Sequence, residues 1–592
     1  MKKRKYHGKK RIDINQKSFA FTHRYDEGKF AFEKLKNIKD AFNSKIDNRL
    51  ILSSIIFSAI FVAIAIKMIE INLFYQPQKS YFSSVEDSER GNFYDRNNVS
   101  LTANLRVYDI GIQPKKIYEE DKFIRKLTSL YSEISEDKLK ERIDLNSFFY
   151  LNKVFLKRKI SAQELQKIID LGETGIIFED TYERIYSQRE LFSHLIGYVD
   201  IDNNGLSGME RSFNVILYDE NKGDVVSSVD TRIQHIVRDE LLGAMDLYKA
   251  VGGAGIVLDI NNGEVISMVS LPDFNPNHKI EENDAFFNKN TKGVYELGSV
   301  MKTFTAAIGI EENKFNTNTL YEISDYIKVG DSRVTDHHRP CELNYCSVED
   351  IFVQSSNIGT VMMVRDIGSE LQKEYFEELG MFNKINLNLP ELSYPLFPEP
   401  WRAVNTDSIS YGYGISISPL HLAYATATVL NGGYLLNPSI IRKDKDTDYG
   451  RKIFSDETSE IMKYLFSKVV SEGTAKDAFS AHTDHRYIVG GKTGTAYKVE
   501  NSRYKVKKNN KMTTFISAFP INKPEYIVLV WLDEPKGIIG EYDDPDNTWG
   551  YTDAGWNAAR ISRNIIDRIS PILDTNARYL PSENLIIKTS LQ

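Results

Sequence analysis

The stretch GGAGIVLDINNGEVISMVS, Gly252–Ser270, decides the fold class. Ile256–Ile260 and Glu264–Ser270 are apolar, β-rich runs. The Asn261-Asn262-Gly263 between them is a strong hairpin signal, because Asn and Gly accept the positive φ of a tight turn. Beyond this hairpin the hydrophobic period changes, and Thr303–Asn313 and Ile358–Ile367 read as helices. Strand-like runs return at 487–491 (YIVGG), 513–520 (TTFISAFP) and 526–535 (YIVLVWLDEP). Strands at both ends with helices between them predict an antiparallel sheet, an α+β layout rather than βαβ repeats. Upstream, 75–225 alternates short strand-like and charged helical stretches, Arg106–Pro114 reading as a half-buried strand and Glu136–Leu145 as a charged helix.

The chain has 592 residues and a formal net charge of -7. That charge is unevenly spread. Residues 1–49 hold 15 Lys+Arg against 6 Asp+Glu, a net +9 that leaves -16 on the rest. A basic arm suits nucleic acid or a cytoplasmic, membrane-flanking tail. The next segment favours the tail. Leu50–Ile66 is a run of 17 uncharged residues bounded by Arg49 and Lys67, just long enough for a ~30 Å hydrocarbon layer. A buried core helix would usually carry a more polar face, and a cleaved signal peptide rarely has so long a leader. The expectation is an uncleaved anchor at 50–70, a cytoplasmic tail at 1–49, and everything from about residue 75 exported. Residues 575–592 read as a polar tail. Cys341 and Cys346 are the two cysteines. A local disulfide, free thiols, and a metal site with Asp336, His337 and His338 all remain open at this stage.

Three short motifs carry the chemistry. In ELGSVMKTFTAA, Glu296–Ala307, Ser299 and Lys302 lie three apart at the start of an apolar run. A helix there would be buried, and a buried ammonium has a lowered pKa and can act as a base. The spacing alone is cheap, since Ser135 and Lys138 repeat it in a charged helix. Ser355-Ser356-Asn357 opens the helix that follows, although Ser212-Phe213-Asn214 and Ser582-Glu583-Asn584 match as well, and a turn or N-cap explains any of them. Lys492-Thr493-Gly494-Thr495 occurs once, on a strand-like stretch with Gly490 and Gly491 before it, and glycine in a strand marks close approach by another group. Together, Ser-x-x-Lys, Ser-x-Asn 56 residues on and Lys-Thr-Gly another 137 on form the set used by penicillin-binding proteins and class A β-lactamases.

On these motifs the chain resembles the class B penicillin-binding proteins, in particular the division-specific FtsI-type peptidoglycan transpeptidases. Arg90–Asn104 is similar to that family's RGxIxDRNGxxLA opening, His194–Leu217 to its pedestal-closing motif, and Ser228–Gln234 and Gly412–Gly433 to parts of its catalytic domain. The resemblance implies a pedestal (dimerisation-type) domain at 75–225 and a β-lactamase-like transpeptidase domain at 226–574. It implies Ser299 as nucleophile and Lys302 as its base. Ser355 would relay a proton to the leaving amine, and Asn357 would hold the substrate amide and Lys302. Lys492, Thr493, Gly494 and Thr495 would bind the terminal carboxylate, with the backbone N–H groups of Ser299 and Thr495 as oxyanion hole. The implied partners are peptidoglycan stem peptides, β-lactams, the plasma membrane, a polytopic glycan polymerase and other division proteins; no cofactor, metal or nucleic acid is expected.

Two departures stand out. Leu297 occupies the place where relatives carry proline, and Ala554–Ser562 lacks a proline usual near the last helix. Neither removes a reacting group. An elongation-type enzyme, or a β-lactam sensor or idle division scaffold on the same fold, is the alternative reading.

Overall fold

The computed structural model describes residues 56–67, 89–131, 135–148, 154–218, 223–278, 284–443, 450–480, 488–500, 503–504, 510–541, 544 and 546–573. Residues 1–86 and 87–592 separate as two units. In the first, 56–67 is helical, with Phe57 and Phe61 exposed. No helix among the described residues is long and apolar enough to cross a membrane. The basic tail, the ends of the expected anchor (50–55 and 68–70) and the polar tail at 575–592 lie outside the described residues.

The second unit begins with a three-stranded antiparallel sheet in the order β2-β1-β3: β1 (Thr102–Ile112), β2 (Val154–Ile160) and β3 (Ile176–Tyr186). Strand β1 ends short of the expected Pro114, which instead opens a 3-10 turn, because proline has no N–H for the ladder. Helices α1 (Glu120–Leu130) and α2 (Ala162–Ile169) cover the sheet, and Ile110, Ile112, Phe123, Leu127 and Ile168 form its core. The charged helix expected from Glu136 runs to Phe148, with Ser135 and Lys138 exposed, as a solvated decoy should be. Below this sheet, Glu210, fully buried, accepts hydrogen bonds from Arg90 Nε (2.8 Å) and Arg184 Nε (2.7 Å).

The larger part is built on a five-stranded antiparallel sheet. Helix α3 (Thr231–Leu247) precedes the hairpin of β4 (Gly252–Asp259) and β5 (Val265–Leu271), with Asn261-Asn262-Gly263 at its turn and Gly263 at φ +76°. The helical middle follows: α4 (Lys302–Glu311), α5 (Val348–Val353), α6 (Asn357–Ile367), α7 (Pro419–Leu430) and α8 (Asp456–Ser471). Strands β6 (Gly490–Tyr497), β7 (Lys511–Phe519) and β8 (Tyr526–Asp533) complete the sheet in the order β6-β7-β8-β4-β5, before α9 (Ala558–Leu573). The last strand among the described residues thus pairs with the first of this sheet, Tyr526 opposite Asp259 and Asp533 opposite Gly252. Helices α3 and α9 pack on one side, α7 and α8 on the other, so both faces are covered and every residue of β7 is buried. Strands β6 and β5 are the two edges of this sheet. Helix α4 runs through the core with Lys302 to Ile310 all buried, as an all-round apolar helix must be.

Candidate active site

Ser299, half-buried, sits in a 3-10 turn, Gly298–Met301, that runs into α4. The N-cap of the turn is Leu297, so Ser299 is not a capping residue. A 3-10 turn has three residues per turn and eclipses side chains at i and i+3, which puts Ser299 and Lys302 in line. Gly298 makes the turn possible. Its φ is +67°, and a Cβ on it would lie 2.5 Å from the carbonyl oxygen of Thr495. From the other side, a Cβ on Gly494 would lie 2.4 Å from the Leu297 carbonyl oxygen. The Ser299 turn and the edge of β6 therefore meet backbone to backbone, and glycine in both segments is what allows it.

Lys302 is 1% exposed. Its Nζ donates to Ser355 O (2.6 Å), Asn357 Oδ1 (2.8 Å) and Ser355 Oγ (3.2 Å). Burial pulls its pKa down to about 7, against a smaller upward pull from the Asp336 carboxylate. Lys492, on β6 opposite Ile516, is wholly buried, and its Nζ donates to Ser355 Oγ (2.9 Å) and Thr493 O (3.3 Å). Burial and then the neighbouring Lys302 push its pKa well below the ordinary lysine range. Two lysines from a helix and a strand thus converge on one hydroxyl. Both acceptor positions of Ser355 Oγ are taken, which leaves its O–H as the group free to donate.

Ser355 is held in an unusual way. It has φ +59°, its N–H donates to Phe352 O and the N–H of Ser356 donates to Ile351 O. That is the pattern of a Schellman motif ending α5, with serine where glycine is usual. A side chain there costs on the order of 1 kcal/mol, and the hydroxyl it brings is the one both lysines share. Residue Ser356 then caps α6, its Oγ accepting the Gly359 N–H at 2.9 Å.

The two threonines differ. Thr493 Oγ1 lies 2.6 Å from Thr474 Oγ1, so its hydroxyl is already engaged. Thr495 Oγ1 accepts the Ala554 N–H at 3.2 Å and keeps its own proton to give. Thr474 and Asp336 are the residues that sequence reading did not assign to the site. Among the described residues no group of three or more His, Cys, Asp or Glu could hold a metal, and Asp336 instead accepts hydrogen bonds at the start of α6. Cys341 and Cys346 are joined by a disulfide, the first of the three options left open.

The comparisons agree with this picture. The Penicillin binding protein transpeptidase domain family matches residues 253–565, and the Penicillin-binding Protein dimerisation domain family matches residues 85–226. The chain is 30% identical over 504 residues to the probable peptidoglycan D,D-transpeptidase FtsI of Caulobacter vibrioides, covering 83% of this chain and 82% of that protein. It is 25% identical to the peptidoglycan D,D-transpeptidase FtsI of Escherichia coli, covering 77% and 80% respectively. Among solved structures, a peptidoglycan synthetase from Bifidobacterium adolescentis superposes with a TM-score of 0.64 at 17% identity over 84% of this chain and 97% of that one, a likeness of fold. With the transpeptidase match covering more than half of its length, the chain belongs to the penicillin-binding protein transpeptidase family.

Proposed function

We propose that this chain is a serine-type peptidoglycan D,D-transpeptidase working in cell division. The observation that carries the reading is the meeting of Lys302, which lies one turn on from Ser299, and Lys492 on the Ser355 hydroxyl. Neutral Lys302 removes the proton from Ser299 Oγ as that oxygen attacks the carbonyl of the penultimate D-alanine. Ser355 gives its proton to the departing D-alanine nitrogen and is reprotonated by the Lys302 ammonium, so charge and protons balance. The substrate's carboxylate is drawn by Lys492, Thr493, Gly494 and Thr495, and the backbone N–H groups of Ser299 and Thr495 receive the oxyanion. Asn357 holds the substrate amide as well as Lys302. The acceptor amine then attacks the acyl-enzyme and forms the cross-link. β-Lactams, which mimic the D-alanyl-D-alanine end, acylate the same serine.

The finer features follow the same reading. Residues 50–70 anchor the chain in the plasma membrane with 1–49 in the cytoplasm, 75–225 form the pedestal, 226–574 the transpeptidase domain, and a polytopic polymerase supplies the glycan strands. The names of the relatives support division over elongation. Mass-spectrometric mapping of the penicilloylated peptide tests the core claim: the adduct sits on Ser299, and Ser299→Ala loses fluorescent penicillin labelling. Undiminished labelling of that variant defeats it. A tagged copy spread evenly along the sidewall would defeat the septal part.

A further inference from the structure

Twenty residues before the Ser-x-Asn motif, the chain leaves a short strand, Ser332–Val334, and lays Thr335 and Asp336 across the start of α6. The Asp336 carboxylate accepts three hydrogen bonds there. Oδ1 takes the backbone N–H of Asn357 (2.5 Å) and of Ile358 (3.1 Å), and Oδ2 takes the Ser356 O–H (2.6 Å). With Ser356 accepting the Gly359 N–H, the first three N–H groups of the helix are all satisfied, two of them by an anion where the helix dipole favours one. Thr335 O meanwhile accepts from Asn357 Nδ2 at 3.0 Å, which turns the Asn357 Oδ1 toward Lys302. Farther on, the bridge between Cys341 and Cys346 ties the loop to the strand Tyr345–Ser347, which leads through α5 back to Ser355.

We propose that Asp336 is a positioning residue of the transpeptidase reaction: it fixes Ser355 and Asn357 around Lys302 and supplies the compensating negative charge beside that lysine. Among the described residues, three charged or titratable groups face Lys302. Lys492 comes from β6, while His337 and Asp336 come from the loop itself. Asp336 is the one that favours the Lys302 ammonium, so its charge holds the pH at which the base becomes free above the value that burial alone would give. The proposal rests on the reading of Lys302 as general base.

The test is the second-order rate of fluorescent penicillin acylation against pH, on the full chain, for wild type, Asp336→Asn and Asp336→Ala. Wild type gives an acid limb near pH 7, where Lys302 loses its proton. Asp336→Asn keeps an oxygen to cap α6 but not the charge. Its limb moves about half a unit or more toward acid, with a plateau within about threefold of wild type. Asp336→Ala loses both, and its plateau falls by about tenfold or more in addition. An unmoved limb in Asp336→Asn, or a plateau in Asp336→Ala within about threefold of wild type, overturns the proposal. Wild type that takes no label at Ser299 would instead overturn the transpeptidase reading, so the two failures are distinct.

Discussion

At the scale of single residues, Ser355 separates the demands of folding from those of chemistry. Its left-handed backbone asks for glycine, and its hydroxyl is what Lys302 and Lys492 share. Replacement by glycine and by alanine removes the same hydroxyl but treats the backbone oppositely. Ser355→Gly is therefore expected to be more stable than Ser355→Ala by about 1 kcal/mol in thermal or denaturant unfolding. Both should lose acylation by about 10²-fold or more. Equal stabilities would mean that the positive φ carries no strain. The motif itself was legible in the sequence, but its backbone was not. A Schellman ending is normally announced by glycine, and here Gln354-Ser355-Ser356 carries no such mark. Asp336 was hidden for a different reason, because its bonds to Ser356, Asn357 and Ile358 join residues twenty and more apart with no pattern of spacing to betray them.

At the scale of elements, the site exists where a 3-10 turn, an edge strand and a helix start touch. The strands of the sheet and the buried helix α4 could be foreseen, because short continuous apolar, β-rich runs suit a sheet covered on both faces and an all-round apolar helix suits only a core. Strand β6 begins at Gly490, so Ile488 and Val489 of the expected run precede it and Tyr487 lies outside the described residues; the order of the strands was not foreseen, since it depends on pairings across more than two hundred residues. The edge matters. Because no other strand among the described residues pairs with β6 on that side, its backbone can meet the turn at Ser299, and Gly494 faces the Leu297 carbonyl there. Gly494→Ala puts a methyl group 2.4 Å from that oxygen, so the turn and the strand must move apart. The expected outcome is a loss of acylation of at least about 10²-fold with a stability change of only about 1–3 kcal/mol. Near-normal penicillin labelling in this variant would show that the close approach is not needed.

At the scale of the whole 87–592 unit, the upstream region is fastened to the segment that runs from β5 to Ser299. Asn277 imitates a strand there, its side chain accepting the Tyr186 N–H (2.8 Å) and donating to the Tyr186 carbonyl (2.9 Å). His194 lies 2.6 Å from Ala285 O through Nε2 and packs its ring edge-on against Phe274. Neutral imidazole donates that hydrogen bond. Burial lowers the His194 pKa to about 4, against a smaller upward pull from the Ala285 carbonyl, whereas the unfolded chain would titrate near 6.5. Between those values the unfolded state binds a proton that the folded state refuses. Stability from this junction is thus complete above about pH 6.5 and is lost as the pH falls toward 4, by an amount on the order of 3 kcal/mol. Glutamine at 194 can donate to Ala285 O and does not titrate. Unfolding measured from pH 7 to 4.5 should therefore fall less steeply in His194→Gln than in wild type, while carboxylates and the other histidines contribute equally to both. Parallel pH curves for the two proteins would remove His194 from the account. A shallower curve for the variant would locate the acid sensitivity at the contact between the upstream region and the segment leading to the nucleophile.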